Sequence, residues 1–315
     1  MDRPGQTARL LILIGAGLLV GAATARPPLK AARWLSADAD LRADLGFAPS
    51  ECLAKVKDAK TRYQIEVGRA AFRSSLLFGG QAGHAGLSCE ACHKNGRTNP
   101  DFQFPGLSGA PGTADVTSFL MSPRRGKHGA VPKPIPNLSG PKSALRISQD
   151  PNKTELRAFI HGIVTEEFDG PEPPSGVMDG LVAYVHHLGP EHCPKPSTVR
   201  LTAESRLEDA RRAVRAADQA IVRKDSKTAE TMVEAARDSL GVINERYSGA
   251  DLKPERDALR ASAIELAGLR QAIAAGDQGS ARRRAAQWIA GSAGLERTLK
   301  AAEPRSLYNP ERLGS

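Results

Sequence analysis

The chain has 315 residues, 40% of them hydrophobic, and a formal net charge of +9. That length accommodates about two domains. Residues 26–195 carry 21 basic and 17 acidic side chains, and residues 196–315 carry 21 and 17 again. The positive surplus therefore forms no basic arm interleaved with aromatics, which argues against nucleic-acid binding and fits docking on an acidic partner or a membrane surface.

Arg3 and Arg9 precede an apolar run from Leu10 to Val20, and Ala23-Thr24-Ala25 follows with small residues. This is the pattern of a secretory signal peptide over residues 1–25, with the mature chain starting near Arg26. The run is too short for a ~20-residue membrane-spanning helix, so the expectation is a periplasmic protein with no stable span once the signal is cleaved. Residues 26–44 read as an N-terminal extension.

Residues 45–195 hold the chemistry. All seven His, all four Cys and all eight Phe lie at or before Cys193. Ile65, Gly68, Phe72 and Leu76 recur at helical spacing within 62–78, which predicts an amphipathic helix that another helix can approach closely at Gly68. Cys89-Glu90-Ala91-Cys92-His93 follows. Two thiols three apart with an imidazole immediately after them suit covalent attachment of one c-type haem: Cys89 and Cys92 bond the porphyrin, and His93 is the proximal iron ligand. A structural zinc site needs about four Cys or His ligands, usually in two pairs, whereas Cys52 and Cys193 are isolated singles. A thioredoxin-like dithiol belongs in a βαβ context, and no strand-rich segment flanks the motif.

The Gly/Pro-rich span 95–141 predicts loop. A helix is expected over 152–164, with Leu156, Phe159, Ile160 and Ile163 inward, and a last helix over 175–188, where Met178, Leu181, Val182, Val185 and Leu188 form a stripe beside Tyr184. In an oxidising compartment, with the other cysteines consumed by haem, Cys52 and Cys193 pair as a disulfide. In the chain-entropy model a loop of about 140 residues makes such a bridge worth on the order of 5 kcal/mol.

The distal side of the iron decides the chemistry, because a carrier usually has six-coordinate iron and peroxide activation needs an open or displaceable position. The segment 163–174 contains Glu166 and Glu167 but no Met. Met121 is the leading distal-ligand candidate; Met178, His128 and His161 are others. An open site would use Glu166 or Glu167 as distal acid or base. His84, His186, His187 and His192 read as surface or haem-edge residues.

A first and a last helix crossing at a glycine and an aromatic, with the haem motif just after the first, resembles the class I cytochrome c fold. Gly68-Arg69-Ala70-Ala71-Phe72, Leu77-Phe78-Gly79-Gly80 and the run from Gly86 to His93 are similar to the haem-binding segment of the bacterial di-haem cytochrome c peroxidase and methylamine-utilisation-type family. Asn99-Pro100-Asp101-Phe102 and Gly106-Leu107-Ser108-Gly109 are loosely similar to the loop after it. That family carries two haem motifs, and this chain has one. The resemblance implies a haem domain; electron transfer between two haems cannot occur within the chain.

Pro194-Lys195-Pro196-Ser197 interrupts helix and marks a boundary, with residues 196–201 as linker. In residues 202–303, Leu207, Ala210, Val214, Ala217 and Ile221 form one seam and Ala229, Val233, Ala236, Leu240, Ile243 and Tyr247 another. Leu259, Leu266, Leu269 and Ile273, then Ala281, Ala285, Trp288, Leu295 and Leu299, continue the pattern. Gln219-Ala220-Ile221 with Asp225 and Ala229 recurs 52 residues on as Gln271-Ala272-Ile273 with Asp277 and Ala281. One helical hairpin is therefore used twice, with Asp225 and Asp277 as N-caps. The fold class expected is all-α: a class I cytochrome c-like haem domain followed by an antiparallel four-helix bundle and a tail over 304–315.

The function expected is a periplasmic c-type cytochrome passing single electrons to a redox protein partner, with the bundle serving docking or dimerisation. The alternative is a cytochrome c peroxidase-like haem enzyme reducing hydrogen peroxide. Arg282-Arg283-Arg284 reads as a solvated face, with a basic contact as the other reading.

Overall fold

A computed structural model describes residues 27–124, 130–150, 153–193, 195 and 197–314. The expected signal peptide, His128, Pro194 and Pro196 lie outside the described residues. The chain is mostly α-helical, and among the described residues no helix is long and apolar enough to cross a membrane.

Asp40 accepts from the N–H groups of Arg42 and Ala43 and starts α1, Leu41–Gly46. The chain then enters β1, Phe47–Pro49. Asp58 caps α2, Ala59–Arg73, by accepting from Thr61 N. This helix is shorter than expected: Ser74 ends it, Ser75–Leu77 is a 3₁₀ turn, and Leu76 is 50% exposed rather than inward. Helix α3, Gly80–Ala85, and the single turn α4, Cys89–Cys92, follow. Next comes a two-stranded hairpin, β2 His93–Lys94 and β3 Arg97–Thr98. Its turn is Asn95-Gly96 with φ of 50° and 80°, the dipeptide favoured where both turn residues need positive φ. Among its described residues the rest of the expected loop region is irregular apart from β4, Thr113–Ala114, paired with β5, Lys133–Pro134.

Helix α5, Glu155–Gly162, runs on into a π-helical turn, Ile163–Glu167. Leu156 is buried there, but Phe159 is 47% exposed, contrary to its expected inward position. Helix α6, Ser175–His186, packs against α2. The two approach backbone to backbone where Gly68 meets Gly180, and Tyr184 lies against Phe72 with ring centroids 5.1 Å apart.

The expected linker contains a strand, β6, Thr198–Arg200, which pairs antiparallel with β1, Phe47 facing Arg200. Entry to and exit from this half are thus zipped together, and Cys52 and Cys193 stand beside the zipper at disulfide distance, Cα atoms 5.1 Å apart.

Helices α7 (Ala203–Val222), α8 (Ser226–Arg246), α9 (Lys253–Ala274) and α10 (Gln278–Ala302) pack in a ring, each against the next and α10 against α7. The apolar seams are buried as their periodicity predicts, Leu295 only partly. Asp225 accepts from Thr228 N and Asp277 from Ser280 N, each capping the second helix of its hairpin. Arg282 is not simply solvated, since its Nε is 2.9 Å from Asp218 and ties α10 to α7.

The two halves share one interior. Helix α2 packs on α7 and α8, and a single hydrophobic cluster runs from Trp34 and Tyr63 through Tyr184 to Leu207, Met232 and Trp288. The C-terminal tail folds back onto the N-terminal extension, where Leu313 is buried with Leu29, Ala32, Leu35 and Leu45.

Candidate haem-binding site

Ser88 is extended and Cys89 opens a single helical turn, so Cys89 and Cys92 fall three apart on one side of it. The turn is held from both ends. Ahead of it Leu87 is buried. Behind it, buried Asn99 donates through its side-chain amide to Ala91 O and through its backbone N–H to Cys92 O, each at 2.9 Å. This is a C-cap made from a distance.

His93 leaves the helix into β2. Its Nδ1 is 3.0 Å from Pro136 O. A neutral imidazole donating from Nδ1 to a backbone carbonyl carries its lone pair on Nε2, the arrangement usual in metal-ligating histidines. Pro136 is positioned by the segment around it: Thr98 Oγ1 donates to Ile135 O at 2.9 Å, and Ser139 N donates to Gly96 O at 3.0 Å. Phe72 lies 6.4 Å from the His93 ring.

Electrostatics agree with the geometry. Cys89 and Cys92 retain some exposed surface, yet both sit deep in the domain, where burial pushes the Cys89 thiol up to about 12 and the Cys92 thiol above its ordinary value too. Burial likewise drives His93 down to about 4, against a smaller opposing effect from the Pro136 carbonyl. At neutral pH the motif offers two protonated thiols and a neutral imidazole. Cys89 and Cys92 are free, whereas the other two cysteines are bonded to each other.

Behind the motif lies a buried polar network. Burial raises the Glu51 carboxyl, but the guanidinium groups of Arg73 and Arg69 outweigh it and hold Glu51 below its ordinary value. Glu51 contacts Arg73 Nη2 at 2.8 Å and Arg69 Nη2 at 2.6 Å, and accepts from the Tyr184 hydroxyl at 2.8 Å. Arg73 also donates to Asn95 Oδ1 at 2.7 Å, and lies 4.0 Å from Glu90 of the motif and 3.7 Å from Asp209 of α7. Glu90 in turn accepts from Asn95 N at 3.0 Å. One guanidinium thus touches the entry segment, the motif, its hairpin and the bundle.

The distal candidates fall in different surroundings. Met121 is 2% exposed in its loop, and Met178 is 2% exposed on α6. Met178 also borders a cleft of about 300 Å³ shared with Thr154, Arg157, His161, Glu172 and Ser175. His161 is partly exposed, with its Nε2 2.8 Å from Glu172, so that ring is engaged at the cleft. Glu167 is buried in the π-helical turn and Glu166 is exposed on it. His84, His186 and His187 each place Nδ1 on a backbone carbonyl, of Gly80, Gln149 and Ala183. His192 lies 3.1 Å from Glu191.

The residues present fit a covalently held porphyrin. Cys89 and Cys92 share one turn and keep some exposed surface, and the neighbouring imidazole is fixed through Nδ1, the nitrogen not needed by iron. Among the described residues no three His, Cys, Asp or Glu side chains form a metal-binding group. The Pro136 carbonyl, the capping role of Asn99 and the Arg73 network were not foreseen from the sequence. The Asn95-Gly96 dipeptide and the alternating prolines Pro132, Pro134 and Pro136 were the cues to the first. No protein-family model, curated protein or solved structure matches the chain.

Proposed function

We propose that the chain is a periplasmic monohaem c-type cytochrome that carries single electrons between redox proteins, its first half having a class I cytochrome c-like fold. The observation that carries this reading is the pairing of two free thiols on one helical turn with an imidazole whose Nδ1 is held by Pro136 O. The backbone contact of Gly68 with Gly180, beside Tyr184 and Phe72, supports the fold. Cys89 and Cys92 would hold the haem covalently through their sulfurs, as thioethers to its two vinyl groups. His93, with Nδ1 held by Pro136 O, would offer Nε2 to the iron as proximal ligand. The bound haem supplies a centre that gains and loses one electron. Pro136 holds the His93 ring through Nδ1, Asn99 caps the turn bearing the thiols, and Arg73 ties that turn to α7 through Glu90 and Asp209.

The test is a reduced-minus-oxidised absorption spectrum of the exported protein, with covalent haem measured after denaturation. A c-type α-band that disappears in Cys89→Ala/Cys92→Ala supports the proposal, and its absence from the wild-type chain sinks it. Six-coordinate low-spin iron inert to hydrogen peroxide fits the carrier. A high-spin ferric spectrum with peroxide turnover would move the assignment to a peroxidase-like enzyme, with Glu166 or Glu167 as the first residues to substitute.

A further inference from the structure

The two hairpins of the bundle are built on one 52-residue repeat, yet their turns differ. The second runs Ala274-Ala275-Gly276-Asp277, and Gly276 takes the left-handed conformation with φ of 72°. The first runs Val222-Arg223-Lys224-Asp225, and Lys224 holds the same conformation with φ of 61°. Left-handed backbone is unfavourable for a residue with a Cβ and is routine only for Gly. The first turn therefore tolerates strain to present a cation, and strain kept at an exposed position points to a use.

Arg223 is folded back over the Tyr63 ring of α2, its guanidinium carbon 4.2 Å from the centroid. This joins the turn to the head of α2, where Lys57, Lys60 and Arg62 are exposed, as are Arg223, Lys224 and Lys227. Among the described residues none of the six forms an ion pair within 4 Å, whereas Arg206, Arg211, Arg212 and Arg215 of the same α7 are all paired. The acids nearest in sequence, Asp58 and Asp225, are turned onto backbone N–H groups as helix caps. Val222, 56% exposed, stands among the cations.

We infer that this face, drawn from both halves of the molecule, is a docking surface for the anionic headgroups of a lipid bilayer. Two observations favour a bilayer over an acidic protein partner of the redox site. Lys60 lies twelve residues up α2 from Phe72, about 18 Å along the axis at 1.5 Å per residue, so the cations gather at the opposite end of the helix from His93. An exposed valine directly beside Arg223 and Lys224 in the turn suits a surface that is anionic outside and apolar just beneath. Docked this way, the protein lies against the bilayer without spanning it and keeps the Cys89–His93 end free. The inference stands whether or not the motif carries haem.

The test is co-sedimentation of the full chain with vesicles of phosphatidylcholine alone and of phosphatidylcholine with phosphatidylglycerol, across a salt series. Each cation at an anionic surface contributes about fivefold in partitioning. The wild-type chain is expected to bind only the anionic vesicles and to detach as salt rises. K57E/K60E/K224E is expected to weaken binding at least tenfold, and R146E/R283E/R297E, with the same change in net charge, to leave it within about twofold. Circular dichroism of both variants confirms the fold. Failure of the wild-type chain to bind, equal loss in both variants, or binding to soluble polyglutamate but not to vesicles overturns the inference.

Discussion

A Cβ on Gly68 would lie 1.9 Å from the carbonyl oxygen of Gly180, so α2 and α6 meet through their backbones with no room for a side chain. Gly68→Ala must push the helices apart and is expected to destabilise by about 3 kcal/mol or more, at the upper end for overpacking because the obstacle is backbone. Gly241, inside α8, has nothing within 4 Å of its would-be Cβ. Gly241→Ala should therefore stabilise by about 0.5–1 kcal/mol through helix propensity alone. Urea unfolding of the two variants checks both signs, and equal effects would show that the contact has been misread.

Glu51 is the acid-sensitive member of the buried network. Its folded carboxyl is held below the ordinary value of 4.5, because the Arg73 and Arg69 charges outweigh the opposing effect of burial. The unfolded chain therefore binds the proton more readily, so the stabilisation is fully present above about pH 4.5 and falls away as the pH drops through the folded value. Glu51→Gln should flatten this acid limb. At pH 7 it should also cost about 3–5 kcal/mol, because buried Arg73 loses its nearest counter-charge. Chemical unfolding from pH 3 to 7 measures both effects.

Lys224→Gly removes the Cβ from a left-handed position and should stabilise the chain by about 1 kcal/mol, while Gly276→Lys in the second turn should cost about the same. Opposite shifts in the thermal midpoint are the expected result. No gain in Lys224→Gly would mean that the first turn carries no strain.

Reducing the Cys52–Cys193 bridge reopens a loop whose ends are 141 residues apart in sequence. The chain-entropy model gives a loss on the order of 4–5 kcal/mol. Cys52→Ser/Cys193→Ser should lower the urea midpoint by a matching amount and abolish the sensitivity of that midpoint to reductant.

The helices were the most legible part of the chain because their apolar period is local: Leu207 to Ile221 and Ala229 to Tyr247 carry their buried faces in their spacing. Hairpin caps at Asp225 and Asp277 were readable for the same reason. Phe159 and Leu76 were misassigned because a stripe states which face is apolar and not where the helix ends or what covers it. The Cys89–His93 motif was visible at once, but its supports were not. Pro136 reaches His93 across 43 residues, and Asn99 acts through backbone groups that leave no compositional trace. Periodicity marks the apolar faces of α2 and α7 but not which charges become buried, and Arg73 and Asp209 meet between the two halves and help join them into one core.

The bridge between Cys52 and Cys193 also sets a problem of timing. Four cysteines allow three complete pairings, and only one of them leaves Cys89 and Cys92 together. A chain emerging from its N-terminus presents Cys52 with Cys89 and Cys92 long before Cys193 arrives, so the correct partner is the last to appear. A chain that oxidises as it emerges must therefore either keep Cys89 and Cys92 from reacting or undo a premature bond. In this protein the order in which sulfur atoms are consumed is as much a part of the assembly as the positions they finally take.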